Sequence, residues 1–308
     1  MYRCKTDQKV YDIAGVKVGG QPGVYPTLLC GTIFYKGQKI VSDPKRGIFD
    51  KEKAEKLILS QESLSSTTKN PSITHIYAST NAAMERYINF VSSTSNAPFI
   101  IDSSDVVARV YGIQYAEEIG LIDRVVYNSI NMSITPQEEE ALLQSHIDAS
   151  ILLSYNIKDP SVSGKISMLK NGGSALSRGL FDIAESCKIK KRLIDTAVPA
   201  LGAGAGDAVR ATYAIKSIFG EPVGCGIHNA VSSWTWLQKT QEKEIRKSCD
   251  TTTAALEIFC GADFVLYGPI EYAPYVFPKA AMADCFVAEA AKSLGTTPID
   301  EHPFFALL

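Results

Sequence analysis

The sequence contains no run of about 18 apolar residues, so it offers no membrane-spanning helix. It has almost no net charge. Its 31 Lys and Arg stand against 33 Asp and Glu, leaving −2 and a pI near 6.1. Without a basic field, nucleic acid and anionic membrane are poor partners. Histidine is scarce: His75, His146, His228 and His302 lie far apart. A zinc site draws on grouped His and Cys, so no metal is expected. The seven Cys include no Cys-x-x-Cys pair, and an odd number suits reduced cytoplasmic thiols better than a disulfide framework. Met1 to Gln8 lack the apolar core of a signal peptide, which again points to the cytoplasm.

Several catalytic signatures are missing too. No Gly-x-Gly-x-x-Gly follows the first strand, no Gly-x-Ser-x-Gly elbow exists, and no Gly-Lys-Ser/Thr closes a P-loop. Gly202-Ala203-Gly204-Ala205-Gly206 resembles a phosphate loop, but Asp207 follows it and repels phosphate. It reads as a tight βα loop lining the mouth of a pocket. The two Trp, Trp234 and Trp236, read as packing residues.

What is present is an alternation. Val10 to Val18 reads as a hairpin about Ala14-Gly15. Eight short apolar runs follow: Leu28–Phe34, Ile73–Ala78, Pro98–Asp102, Arg124–Asn128, Ala149–Tyr155, Lys191–Thr196, Pro222–Ile227 and Asp263–Tyr267. Most are apolar on both faces, as parallel strands covered on both sides are. Punctuated helices lie between them. Asp50 precedes one, Asn81 another, Thr135-Pro136-Gln137-Glu138 is a capping box, and Gly120, Gly220, Gly261 and Gly295 are stops. Eight βα units in 308 residues predict a TIM (β/α)8 barrel with an N-terminal β-hairpin, one domain over 1–308.

In such a barrel the chemistry gathers at the carboxyl ends of the strands. There the sequence places Asp102, Asn128, Asp195 and Asn229, residue types that disfavour strands. Singly, each reads equally well as a cap of the next helix. As a ring they suit a flat heterocycle whose edge mixes donors and acceptors, such as a pterin. A carboxylate can take two parallel N–H bonds from such an edge.

Asp102-Ser103-Ser104, Asn128-Ser129-Ile130-Asn131, Ile194-Asp195-Thr196 and Gly226-Ile227-His228-Asn229 resemble the pterin-binding motifs of corrinoid-dependent methyltransferases. The whole chain is similar to the H-subunit family of tetrahydromethanopterin S-methyltransferase, within which it looks closest to bacterial methylcorrinoid:tetrahydrofolate methyltransferases of the glycine betaine demethylation type. Gly15 to Gly23, Gly31 to Tyr35, Tyr127 to Thr135, Leu201 to Gly206 and Phe264 to Glu271 carry that likeness. The resemblance implies methyl transfer between a corrinoid cobalt and N5 of tetrahydrofolate. The corrinoid would be methylcobalamin or a group bound to a separate corrinoid protein, and the enzyme a homodimer.

By motif, Asp102 and Asp195 would hold the pyrimidine edge and Asn128 the same ring system. Asn229 would stand by N5 as the catalytic contact, with Gly226 giving the ring room. His228 precedes Asn229 where a small residue is usual, and Thr196 follows Asp195 where related enzymes read Pro. The sequence has no Asp-x-His-x-x-Gly to ligate cobalt itself.

One alternative is an H-type subunit that acts on tetrahydromethanopterin inside a membrane complex. A pterin-condensing synthase would need a Lys/Arg cluster for pyrophosphate, which the strand ends lack. A non-catalytic scaffold would bind no reduced pterin.

Overall fold

The computed structural model describes residues 2–308. The hairpin forms as read, from Val10–Ile13 (β1) and Val16–Gly19 (β2), paired antiparallel. Ala14 and Gly15 both take positive φ, 45° and 90°, which a two-residue turn matched to strand twist requires.

Eight strands build the barrel: Leu28–Ile33 (β3), Ser72–Tyr77 (β6), Phe99–Asp102 (β7), Val125–Ile130 (β8), Ala149–Leu153 (β9), Lys191–Asp195 (β10), Val223–Cys225 (β11) and Phe264–Pro269 (β12). They pair in parallel in that order, and β12 closes on β3. A small ribbon, Val41–Asp43 (β4) with Ile48–Phe49 (β5), sits in the first βα connection. Every one of the eight strands falls on an apolar run read from the sequence. No helix among the described residues is long and apolar enough to cross a membrane. All seven cysteines are free.

Side chains alternate between the two faces of a strand. The outward set, including Ile76, Ile101, Tyr127, Leu152 and Ile194, packs under the helices. The inward set, including Leu28, Cys30, Ile73, Ile100, Val126, Ile151, Leu193 and Phe264, fills the lumen. Ile13 and Val18 of the hairpin belong to this inner cluster and are wholly buried. The hairpin therefore plugs the amino-terminal end. Lys9 Nζ, Tyr11 Oη and Arg192 Nη2 all reach the Glu221 carboxylate, at 2.7, 2.6 and 2.6 Å, and fasten the plug beside β10 and β11.

A second fastening is fully buried. Lys216 Nζ donates to both oxygens of Asp263 at 2.7 Å and to the Gly20 carbonyl at 2.8 Å, while Asp263 Oδ2 accepts from Val223 N. One ammonium thus joins the hairpin's exit to the starts of β11 and β12. Gly220, at φ +68°, ends the Lys216 helix where a Cβ would lie 2.1 Å from the Asp7 carbonyl.

Two sequence expectations need correction. Thr135 caps helix Pro136–Gln144 through Glu138 N, but Glu138 does not reach back to complete a capping box. Its carboxylate turns inward to Arg109 Nη2, at 2.9 Å, and to Tyr127 Oη, because a buried arginine demands a counter-charge. Asn81 is the first residue of its helix, and Thr80 is the cap.

Candidate active site

The carboxyl ends of the strands lie opposite the hairpin. Counting in twos from the inner apolar layer gives its lining: Cys30 leads to Thr32, Ile73 to His75, Ile100 to Asp102, Val126 to Asn128, and Leu193 to Asp195. The polar ring is therefore the next layer up the same lumen. Asp102 and Asn128 are direct register partners on β7 and β8.

Asp102 is held by its neighbours. Its Oδ2 lies 2.9 Å from His75 Nε2, and His75 Nδ1 lies 3.0 Å from Thr32 Oγ1. The Asn128 amide stands 3.4 Å from the same Nε2. Beyond the strand, Arg109 Nη1 donates to the Ser103 carbonyl at 2.5 Å and pins the turn that follows Asp102. The register of β8 shifts after Asn128, and the Asn128–Ser129 peptide is cis.

Asp195 is buried at the end of β10. Its Oδ1 accepts from Ala197 N at 2.6 Å. Ala197 sits at φ +54° and is fixed from its other side by buried Lys165, whose Nζ donates to the Ala197 carbonyl at 3.1 Å. Burial pushes the Asp195 carboxyl up to about 6; the Ala197 N–H, the Lys165 ammonium and His75 oppose that rise. Burial lowers the Lys165 ammonium in turn, against the pull of Asp195.

Gly226 and Asn229 follow β11. Asn229 is exposed, on the short helix His228–Ser232. A Cβ at Gly226 would meet Asn229 Nδ2 at 2.9 Å, so glycine is what lets that amide fold back over the strand end. Among the described residues the Asn229 amide makes no hydrogen bond. His228 lies against Gly268 of β12, where a Cβ would stand 2.7 Å from the ring. Its Nδ1 is buried without a partner, and burial together with His75 lowers the ring to about 4.

The structure thus brings Asp102 and Asn128 into one hydrogen-bonded cluster through His75. Asp195 is near enough to feel the same imidazole. Asn229 stands at the rim, free to meet a ligand. Thr32 and His75 have no place in the sequence-based ring; scattered histidines argue against zinc there, and His228 enters only as the bulky neighbour of Asn229. Parity along the strand would have found His75, two residues after a lumen-facing Ile73.

The Trp pair is corrected as well. Trp234 and Trp236 are 37% and 52% exposed, with ring centroids 4.8 Å apart, at the start of helix Thr235–Thr240, which follows the Asn229 helix. Leu237, fully buried, does the packing there. No group of three or more His, Cys, Asp or Glu among the described residues could hold a metal ion.

The polar ring can accept N–H groups at Asp102 and Asp195 and can donate or accept at Asn128 and Asn229. Its one acid–base pair is His75 with Asp102, joined at 2.9 Å. What it can do is bind and orient a flat polar ring.

Known proteins agree with this architecture. Dihydropteroate synthase from Yersinia pestis, solved with a sulfonamide drug, superposes with a TM-score of 0.61 over 93% of this chain and 100% of that chain, at 13% identity. At that identity the likeness speaks for the fold. Over full length, the H subunit of tetrahydromethanopterin S-methyltransferase from Methanothermobacter thermautotrophicus is 50% identical, covering 100% of both chains. Its namesake in Methanocaldococcus jannaschii is 45% identical, again over 100% of both. The family described as tetrahydromethanopterin S-methyltransferase MtrH subunit matches residues 6–299. This chain belongs to that family, the MtrH subunits of tetrahydromethanopterin S-methyltransferase.

Proposed function

We propose that the chain is a methyltransferase subunit that binds a reduced pterin in the barrel mouth and presents its N5 for methyl exchange with a corrinoid cobalt. The observation that carries this is the polar layer itself: Asp102, Asn128 and Asp195 stand one step above an apolar lumen, with His228 Nδ1 unpaired beside them. A polar layer at the strand ends, with a buried ring nitrogen that lacks a partner, favours a ligand that supplies one. The relatives named for tetrahydromethanopterin favour that pterin over tetrahydrofolate, which the sequence motifs put first.

The corrinoid, carried by a partner, supplies or takes the methyl group. The chain's own part is positioning. Asp195 and Asp102 accept the ring's N–H groups, and Asn128 meets the same ring. Asn229 stands where it can follow the change at N5 by a hydrogen bond, accepting when N5 carries a proton and donating when it does not. In this reading the change is tracked by an amide and not by a strong acid.

Mixing the protein with methylcobalamin and either tetrahydromethanopterin or tetrahydrofolate tests the reading. Loss of the methylcobalamin absorption only when protein and a pterin are both present is the expected result, faster with tetrahydromethanopterin. No pterin-dependent change with either would sink it. Asn229→Ala should lower turnover well beyond threefold, about 0.7 kcal/mol in barrier, while pterin affinity holds. Turnover surviving within that margin removes Asn229 as the N5 contact.

The homodimer is part of the same proposal. Helix Ala273–Lys292 leaves Met282 and Phe286 about half exposed, beside the chain's end at Leu307 and Leu308. An apolar face of this kind favours a second copy of the chain. Light scattering should give twice the monomer mass, and Phe286→Glu should give the monomer. A wild-type monomer at micromolar concentration overturns this part alone.

A further inference from the structure

We infer that His75 is a positioning residue that sets the hydrogen-bonding sense of the site, so that the mouth accepts a 4-oxo pterin ring and rejects a 2,4-diamino one. The inference rests on the pterin reading above and goes beyond it in naming what discriminates.

The argument starts at Nε2 of His75, 2.9 Å from Asp102 Oδ2. A carboxylate oxygen only accepts, so Nε2 carries the hydrogen. Nδ1 faces the Thr32 hydroxyl at 3.0 Å. A hydroxyl donates or accepts, so it serves the ring whether neutral or protonated. Nε2–H is therefore fixed in both states.

That hydrogen constrains Asn128. As placed, the amide nitrogen lies 3.4 Å from Nε2, a donor against a donor. Amide oxygen and nitrogen are told apart by their partners, and here the partner calls for the oxygen. Turning the amide over puts its oxygen toward Nε2–H and its NH2 toward the lumen. Asp102, engaged through Oδ2, keeps Oδ1 for a ligand.

Because Asp102 and Asn128 are register partners, the site now presents an acceptor and a donor side by side, on strands about 4.8 Å apart. The complement is an N–H next to a carbonyl, which is the lactam edge of a 4-oxo pterin. A 2,4-diaminopteridine shows the reverse there, a bare ring nitrogen next to an amino group. Both of its contacts would be like against like, and buried mismatches of this kind are costly.

Calorimetry with 6-methyltetrahydropterin and its 2,4-diamino counterpart tests this. The wild-type protein should prefer the oxo probe by about 20-fold or more. His75→Leu frees the Asn128 amide to rotate, and the preference should fall to within about threefold. His75→Gln restores an N–H toward Asp102 and Asn128, and the preference should return to about tenfold or more. A purely structural role would weaken both probes equally and leave the ratio untouched, and that result overturns the inference while the pterin reading stands. If neither probe nor either natural pterin binds the wild-type protein, both fall.

Should His75→Leu not fold, the wild-type ring still decides. Its 15N spectrum should show Nε2 protonated across the neutral range, and a neutral ring protonated at Nδ1 would overturn the inference.

Discussion

Replacing Lys216 with Met should cost the fold about 3–5 kcal/mol, because it strands a buried carboxylate. Asp263 keeps Val223 N as a partner but loses the ammonium that lies 2.7 Å from both its oxygens. Burial already raises the Asp263 carboxyl, and Lys216 opposes that rise. Without the lysine, protonation is the way left to relieve the charge. The deficit should therefore shrink in acid, where Asp263 takes up a proton. Urea unfolding at neutral and acid pH measures both effects. Lys53→Met, which breaks an exposed pair with Asp50, is the control and should leave the unfolding midpoint almost unmoved. Equal losses from the two variants would show that the floor of the barrel does not depend on this pair.

Asp195→Ala should weaken reduced-pterin binding by about 100-fold, near 3 kcal/mol, by leaving ligand N–H groups unpaired in a buried site. The pH dependence gives an independent check. Asp195 titrates near 6 in the free protein, raised from 3.8 by burial. A raised folded-state value means that its contribution to stability is fully present below 3.8 and is lost as pH rises through about 6. Binding has the opposite sign, since the ligand needs the ionised carboxylate. Affinity should fall about tenfold per pH unit below 6 in the wild type, and Asp195→Ala should flatten that slope. Unchanged affinity by calorimetry would remove Asp195 from the site.

The sequence made the barrel legible because each strand carries its own apolar run, buried on both faces. It also placed Asp102, Asn128, Asp195 and Asn229, since polar residues right after such runs break strand propensity. His75 stayed hidden for the opposite reason. It lies inside β6 between Thr74 and Ile76, where a buried histidine satisfied by the core is the ordinary expectation. Only the closed barrel shows that Thr32 and Asp102 flank it from neighbouring strands. Glu138 misled because local spacing favoured a cap, while the competing partner, Arg109, is 29 residues away. Trp234 and Trp236 misled because hydrophobic size predicts burial, and Leu237 beside them took that place.

The plugged floor has a consequence for the proposed function. With Ile13 and Val18 filling the amino-terminal end, a pterin bound as proposed would enter past the rim that carries Asn229. On that proposal, a corrinoid partner seated across the rim would shut the pterin in, so the pterin would enter first and leave last.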